Sequence, residues 1–568
     1  MKKRWVMKGH DEAIAEQLQT ALKIHPVLCQ LLAQRSITTF DEAKYFFRPE
    51  WNHLHDPFLM RDMDKAIERI KLAMQRKEKI LIYGDYDVDG TTSVATVYSF
   101  LRNYYQDIDY YLPNRYKEGY GISTQGIDFA KENNFPLIIA LDCGIKSIDK
   151  IEYANGLGID FIICDHHLPG DEIPNCVAVL DPKRSDCDYP FKELSGCGIG
   201  FKLMQAWVQS EGGNVEELTS LLDLVVISIA SDIVPIMGEN RALAFLGLKQ
   251  LNNNPREGVK ALMKAANVKR ELSISDIVFM LGPRINAAGR MDDARNAVKL
   301  LISETTTQAE NNADTLNDRN KERKEVDVSI TAEALGMLQN NEDQQNKKST
   351  VLFQPHWHKG VIGIVASRML DHYYRPTIIL TESNGVAAGS ARSVAGYDIY
   401  EAIKSCSDLL EQFGGHMFAA GLTLKKENVE AFTQRFEEVV SLTIEDQMLI
   451  PQITIDAELN PADVGIKFYE IMKQFAPFGP HNMKPVFVSK RMIDTGDSRI
   501  VGTNHLKLSL MKEGTQQRLT GIAFSGEQYF NLVKSGKPVD ICYTLEENEW
   551  NNRKLIEMNV RDLVESEN

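Results

Sequence analysis

The stretch ILIYGDYDVDGTT, Ile80 to Thr92, runs from a bare apolar segment into three carboxylates at alternating positions, Asp85, Asp87 and Asp89. Neighbouring like charges repel, so such crowding destabilises a chain unless a cation sits among them. The apolar part lacks polar alternation, as a strand covered on both faces does. Between Ile80 and about Asp165 the pattern recurs in KILIYGD, DIDYYLP, PLIIALDCG and IDFIICDHH, separated by helix-length segments. This predicts a doubly wound α/β domain with a parallel sheet, whose strand C-termini open on one crevice.

A period of two puts Asp85, Asp87 and Asp89 on one strand face. LDCG ends a second buried run with Asp142, and CDHH ends a third with Asp165, His166 and His167. In SIASDIVP, Asp232 closes an apolar run, where a carboxylate is costly to desolvate unless paired or metal-bound. Carboxylates with imidazole and no thiolate suit a hard-to-borderline divalent ion, Mn²⁺ or Mg²⁺. Each residue alone has a blander use: Asp87 or Asp89 as the N-cap of the helix after DGTTS, His166 and His167 as satisfied histidines. Ligand types closing several separate strands together favour a metal site.

At 568 residues the chain is too long for one core, and length alone suggests roughly three or four domains. MKKRW opens with positive charge but no apolar core of a signal peptide follows, and the longest apolar run, Leu224 to Ala230, is far short of a membrane span. A cytoplasmic location is expected. The eight cysteines form no CxxC pair, which predicts reduced thiols rather than zinc ligands or disulfides. A net charge of −15 excludes a protein that coats nucleic acid by bulk electrostatics, so any polyanion must meet a local basic surface or a metal.

Residues 194–301 read as mostly helical, and 303–347 as a thinly amphipathic, polar helix of the kind that bridges domains. A second α/β unit follows to about Glu445, with glycine-rich turns in GSARSVAG and FGGHMFAAG, and short β runs from Pro451 onward predict a small all-β barrel. The expected organisation is 1–302, 303–347, 348–445 and 446–568. Arg115, Arg284 and Arg290 stand beside glycines, where backbone approaches a phosphate and guanidinium grips it, although most arginines are simply exposed. Ser390, Arg392 and Ser393 suit an anion nest, and His416 sits next to Gly414 and Gly415, which suggests nucleic-acid contact. Tyr110, Tyr111, Tyr116 and Tyr120 read as base-stacking or core rings.

DYDVDG, LDCG, DHH and SDIVP, in this order, resemble the four motifs of the DHH phosphoesterase superfamily, and FGGHMFAAG resembles its DHH-associated domain. YLPNRYKEGYG, GPRINAAGRM, HWHKGVIGIVASR, GSARSVAGYDIYEAI and FAPFGPHNMKPVF narrow the resemblance to the RecJ family of single-strand-specific 5′-to-3′ exonucleases over nearly the whole length. Two departures stand out: Lys359 where proline is expected, and no glycine before Asn482.

The resemblance implies two α/β domains joined by a long helix, followed by an oligonucleotide-binding (OB-like) barrel. It implies a two-ion Mn²⁺ site, with Mg²⁺ as the alternative, held by Asp87, Asp89, Asp142, His166 and Asp232. Asp85 would be a further ligand or an acceptor behind one, His167 would face the scissile phosphate, and Asp165 would orient an imidazole. Arg115, Arg284, Arg290, Ser390, Arg392, Ser393 and His416 would bind the strand, with the 5′-phosphate setting polarity, and Lys484, Lys490, Arg491 and Lys507 would touch backbone on the barrel. The implied activity is a monomeric exodeoxyribonuclease of DNA repair and recombination. Its substrate is single-stranded DNA, and its candidate partner proteins are a single-strand-binding protein and a helicase. A small-substrate DHH phosphatase, which needs no barrel, and a non-catalytic replication scaffold, which lacks ligands, are the rival readings.

Overall fold

A computed structural model describes residues 3–550 and 553–567. The chain divides into two compact units, Lys8–Arg319 with Asp456–Asn568, and Met1–Met7 with Asn320–Ile455. The division falls inside one 34-residue helix, Thr306–Gln339.

The first unit contains a five-stranded, wholly parallel sheet in the order Ile108–Tyr111, Ile80–Gly84, Leu137–Leu141, Asp160–Cys164, Ala178–Leu180. Its central strands are buried throughout, which explains their unbroken apolar sequence. Alternate residues feed two cores: Ile80, Ile82, Leu137 and Ile139 face one, and Leu81, Tyr83, Ile138 and Ala140 the other. The helices Val88–Leu101, Gly196–Ser210 and Leu222–Ser231 cover the first face, while Ile127, Ala130, Ile151 and Ala154 from Thr124–Glu132 and Ile148–Gly156 cover the second. Among the described residues no helix is long and apolar enough to cross a membrane.

The same unit holds the barrel. Phe487–Asp494, Val539–Trp550, Arg553–Glu565, Arg518–Ala523 and His505–Lys512 pair in that order, and the last pairs back onto the first, closing the sheet. Leu18, Leu28, Leu31 and Phe46 of the N-terminal helices join the barrel's core beside Phe475, Phe487 and Tyr543.

The second unit carries a mixed five-stranded sheet in the order Gln412–His416, Ala419–Leu424, Val386–Arg392, Thr377–Ser383, Thr350–Phe353, backed by Phe432, Phe436 and Val440 of Val429–Thr443. The two glycine-rich segments are not turns as expected. Ser390 and Arg392 lie in a strand, and FGGHMFAAG is a hairpin whose strands Gln412–His416 and Ala419–Leu424 flank Met417 and Phe418. Arg4–Met7 pairs in parallel with Gln452–Ile455. All eight cysteines are free thiols.

A buried ion pair ties the covering helix Gly196–Ser210 to the helix Gly238–Asn253. Lys202 Nζ donates to Glu239 Oε1 (2.8 Å) and to the His55 carbonyl (2.6 Å), and Tyr189 Oη donates to Glu239 Oε2 (2.6 Å), both charges being fully buried. Removing one partner strands the other without water or counter-charge. Lys202→Met is expected to destabilise the unit by roughly 3–5 kcal/mol, with Lys202→Met/Glu239→Gln recovering much of the loss; urea unfolding followed by circular dichroism measures both.

Candidate metal centre

The strand Ile80–Gly84 stops before the first carboxylate, so Asp85, Asp87 and Asp89 do not share a strand face as the period of two suggests. Asp87 is instead the N-cap of Val88–Leu101, its Oδ1 accepting from Gly90 N (3.0 Å), and Asp89 lies in that helix's first turn. The change of backbone from strand to helix turns the three carboxylates in different directions.

Asp89 is held hard. Its Oδ2 accepts from Gly196 N (2.7 Å) and its Oδ1 from Cys197 N (2.8 Å) and Ser228 Oγ (2.7 Å). The donors are the positive N-terminus of Gly196–Ser210 and a hydroxyl of Leu222–Ser231. A Cβ at Gly196 would lie 2.7 Å from Asp142 Cβ, so only glycine lets this helix end close on both aspartates. Asp142, just past Leu137–Leu141, sits in the left-handed region at φ 60°.

His166, just past Asp160–Cys164, is the hub. Its Nε2 lies 3.2 Å from Asp142 Oδ1, 3.6 Å from Asp232 Oδ2 and 3.7 Å from Asp89 Oδ2. Neither ring nitrogen has a hydrogen-bond partner although both are buried. Burial pushes the His166 pKa below its ordinary value, against the opposing pull of the Asp89 carboxylate. Burial, then repulsion from neighbouring aspartates, raises Asp85, Asp87, Asp142 and Asp232, the strongest repulsion coming from Asp87 for Asp85 and from Asp89 for the other three.

A buried imidazole without a hydrogen-bond partner, ringed by carboxylates that repel one another, is a donor set that suits a divalent cation. Two groups have ligand atoms within 4.8 Å of one another: Asp89, His166 and Asp232, and Asp142, His166 and His167. Asp87 and Asp85 belong to neither group. Asp85 is fully buried, with Oδ1 accepting from Gly121 N (3.3 Å) and Oδ2 unpartnered.

The imidazole that Asp165 orients is that of His167, through Oδ1 to Nδ1 at 2.7 Å. Asp165 also accepts from Ile145 N, His166 N and His167 N. Burial opposes its ionisation, but the His167 hydrogen bond and these amides prevail and hold its pKa at about 2. Burial lowers the His167 pKa, but Asp165 outweighs it and the net shift is upward. Nε2 of His167 faces Tyr120 Oη at 3.0 Å.

The strand-binding candidates are spread out. The Arg115 guanidinium lies over the Tyr86 ring, 4.9 Å from its centroid, beside the DxDxD turn. Arg290 closes the helix Gly282–Met291, and its carbonyl accepts from Tyr116 Oη. Arg284 donates to Asn317 Oδ1 (3.0 Å) and to the Met280 carbonyl (2.6 Å), which ties it to structure. Tyr111 stacks on Tyr83 and Tyr110 packs edge-on against Tyr98, while the Tyr120 ring is exposed.

In the second unit, Arg392 Nη1 donates to Ser390 Oγ (3.1 Å) and Arg392 Nε to Ser367 Oγ (3.2 Å), and burial lowers the arginine's pKa. Ser393 Oγ donates to the Tyr397 carbonyl (2.6 Å). Ala419 pairs with both His416 and Arg392, which places these two residues on opposite flanks of one strand. Gly415, at φ 145°, lies where a Cβ would meet the Ala419 carbonyl at 2.4 Å. On the barrel each expected backbone contact faces a carboxylate: Lys484 with Glu546, Lys490 with Glu458, Arg491 with Glu513, Lys507 with Glu557.

Gly196, Cys197 and Ser228 escape a search for side-chain ligands. Cys197 matters through its amide rather than its thiol. A serine before glycines at a helix start, SGCG, is the available signal.

Three family models match the chain: the DHH family N-terminal domain over residues 79–229, the DHHA1 domain over 346–442 and the RecJ OB domain over 455–562. The single-stranded-DNA-specific exonuclease RecJ of Bacillus subtilis is 38% identical, aligning with all of this chain and 71% of that protein. That of Escherichia coli is 32% identical over 96% of this chain and 97% of its own. The chain belongs to the RecJ family. A RecJ crystal structure in complex with Mn²⁺ from Thermus thermophilus superposes with a TM-score of 0.83 at 24% identity, covering 100% of this chain and 80% of that one, a likeness of fold. A second, exonuclease RecJ bound to manganese, has a TM-score of 0.60 at 29% identity over 68% of this chain and 96% of its own. The RecJ architecture thus accounts for the long helix and the C-terminal barrel together.

The raised carboxylates set a pH dependence. A group whose folded pKa exceeds its unfolded one stabilises the metal-free fold at low pH and loses that contribution as pH rises through the folded pKa. For Asp85, Asp142 and Asp232 the loss begins at the ordinary carboxylate value and continues up to their raised folded values. Melting scans of the metal-free protein are expected to show this part of the stability falling from about pH 4 upward, and the gain from added Mn²⁺ growing over the same range.

Proposed function

We propose that this chain is a Mn²⁺-dependent exonuclease that hydrolyses single-stranded DNA from its 5′ end and releases mononucleotides, with Mg²⁺ as an alternative ion. The observation that carries the reading is the buried His166 imidazole, without a hydrogen-bond partner and ringed by Asp89, Asp142 and Asp232. The relatives named as single-stranded-DNA-specific exonucleases and the neighbours solved with Mn²⁺ support it.

Asp87, Asp89, Asp142, His166 and Asp232 would hold a pair of ions, with Asp85 behind them as acceptor. Bound divalent ions supply positive charge to the phosphodiester and lower the pKa of water at neutral pH. The protein's own residues do the rest. Gly196, Cys197 and Ser228 fix the Asp89 carboxylate, so it needs no reorganisation when substrate arrives. Asp165 holds the His167 tautomer and favours its protonated form, so Nε2 is a hydrogen-bond donor for the scissile phosphate. Arg115, Arg284 and Arg290 would contact strand phosphates. Ser390, Arg392, Ser393 and His416 would seat the 5′-terminal phosphate, the Ser390–Arg392 hydrogen bond pre-orienting the guanidinium. The enzyme would work as a cytoplasmic monomer in DNA repair and recombination, on strands delivered by a helicase or a single-strand-binding protein.

End-labelled single strands test the reading. The 5′ label is expected to appear as mononucleotide at the earliest times and the 3′ label only at the end; chelator stops both, and equal rates on duplex and single strands refute the specificity. Asp89→Ala is expected to abolish turnover while strand binding, measured by fluorescence anisotropy, persists. His167→Ala is expected to lower kcat by about 10²–10⁴-fold.

A further inference from the structure

Asp232 is the one candidate ligand that does not come from a sheet strand or from the helix directly after one. It caps the C-terminus of Leu222–Ser231, its amide donating to the Ser228 carbonyl (2.9 Å), and nothing in the sheet holds it. The chain leaves it through Ile233, at φ 61°. A β-branched residue in the left-handed region is strained, and the Ile233 side chain is 67% exposed, so its own packing does not hold that conformation. The restraint comes from further along.

Three residues on, Ile236 N donates to the Pro480 carbonyl (2.8 Å). Ile236 is fully buried and lies directly on Gly479, where an added Cβ would come within 2.5 Å of Ile236 Cγ1. Gly479 and Pro480 belong to the FAPFGPHN segment, Phe475–Asn482, which leads into the barrel strand Phe487–Asp494.

That segment is clamped in turn. Arg241, on Gly238–Asn253, donates through Nη1 to the carbonyls of Phe475 (2.9 Å) and Pro477 (3.4 Å), through Nη2 to those of Gln474 (3.3 Å) and Ala476 (2.9 Å), and through Nε to that of Phe46 (2.8 Å). Asn482 donates to the carbonyls of Phe475 and Pro477 (2.8 Å each) and accepts from Arg35 Nε (2.7 Å). His481, where the family resemblance leads one to expect glycine, takes the left-handed backbone the turn demands, at φ 60°. A fully buried asparagine and a buried arginine thus fix the shape of one turn, and that turn's glycine and carbonyl fix the segment carrying Asp232.

We propose that Gly479, Asn482 and Arg241 are positioning residues for metal binding: the turn before the barrel sets the Asp232 carboxylate toward His166. The inference rests on Asp232 being a metal ligand. Such supporting residues typically change metal affinity by about 10–100-fold.

The test is titration calorimetry of the full-length protein with Mn²⁺ alone. Asp232→Ala is compared with Gly479→Ala, Asn482→Ala and a barrel-core control, Met492→Ala, each checked for folding by its melting temperature. Gly479→Ala and Asn482→Ala are expected to weaken Mn²⁺ binding about tenfold, with turnover restored by raising Mn²⁺, while Met492→Ala loses stability at unchanged affinity. Clamp variants that melt lower yet bind Mn²⁺ as the parent does overturn the proposal and leave the site intact. An Asp232→Ala variant that binds Mn²⁺ normally overturns both this proposal and the ligand assignment it rests on.

Discussion

Everything in the first unit serves an electrostatic conflict that folding alone does not relieve. Carboxylates at 3.2 to 3.7 Å crowd the His166 imidazole, and burial with mutual repulsion drives Asp142 and Asp232 toward the proton. A divalent cation relieves that conflict, and the fold orients the donors for it. Parallel strands end together, so His166 and Asp142 arrive side by side, while a helix N-terminus and a serine hydroxyl keep Asp89 oriented. Because the same residues repel one another without the ion, the site is a store of instability that metal binding relieves.

Two imidazoles adjacent in sequence serve opposite ends. His166 has no hydrogen-bond partner for either nitrogen, and burial pushes its pKa down. His167 is bound at Nδ1 by Asp165, whose own charge is secured by three backbone amides, and its pKa rises. One residue's difference in direction at a strand end gives the two imidazoles different surroundings. The second unit contributes a different surface: an edge hairpin stripped of side chains at Gly414 and Gly415, with Arg392 two strands in and already oriented by Ser390.

Much of this was legible because strand ends write themselves into sequence. ILIYGD, LIIALD and FIICDHH each show an apolar run stopping at a polar residue, and parallel sheets gather such ends. Geometry within the turn was not legible. DYDVDG reads as alternation, but its backbone changes from strand to helix between Gly84 and Val88, so the period of two does not apply. GSARSVAG reads as a turn because of its glycines and serines, yet strand pairing carries Ser390 and Arg392 into the sheet and leaves the turn after them. The carboxylates that face the barrel's lysines and arginine lie on other strands or loops, so local sequence does not show the pairing.

The amino-acid sequence by itself determined the α/β order, the long polar helix, the closing barrel and the residue types at the metal site, since all of these follow from local periodicity and from which side chains can ligate. Tertiary structure alone decided which groups surround the candidate ligands: Gly196 and Cys197 amides on an aspartate 107 and 108 positions away, and a Pro480 carbonyl bonded to Ile236 in the segment after Asp232. Backbone amides and carbonyls are the same in every residue. Their role depends on where packing brings them, and no local pattern records that.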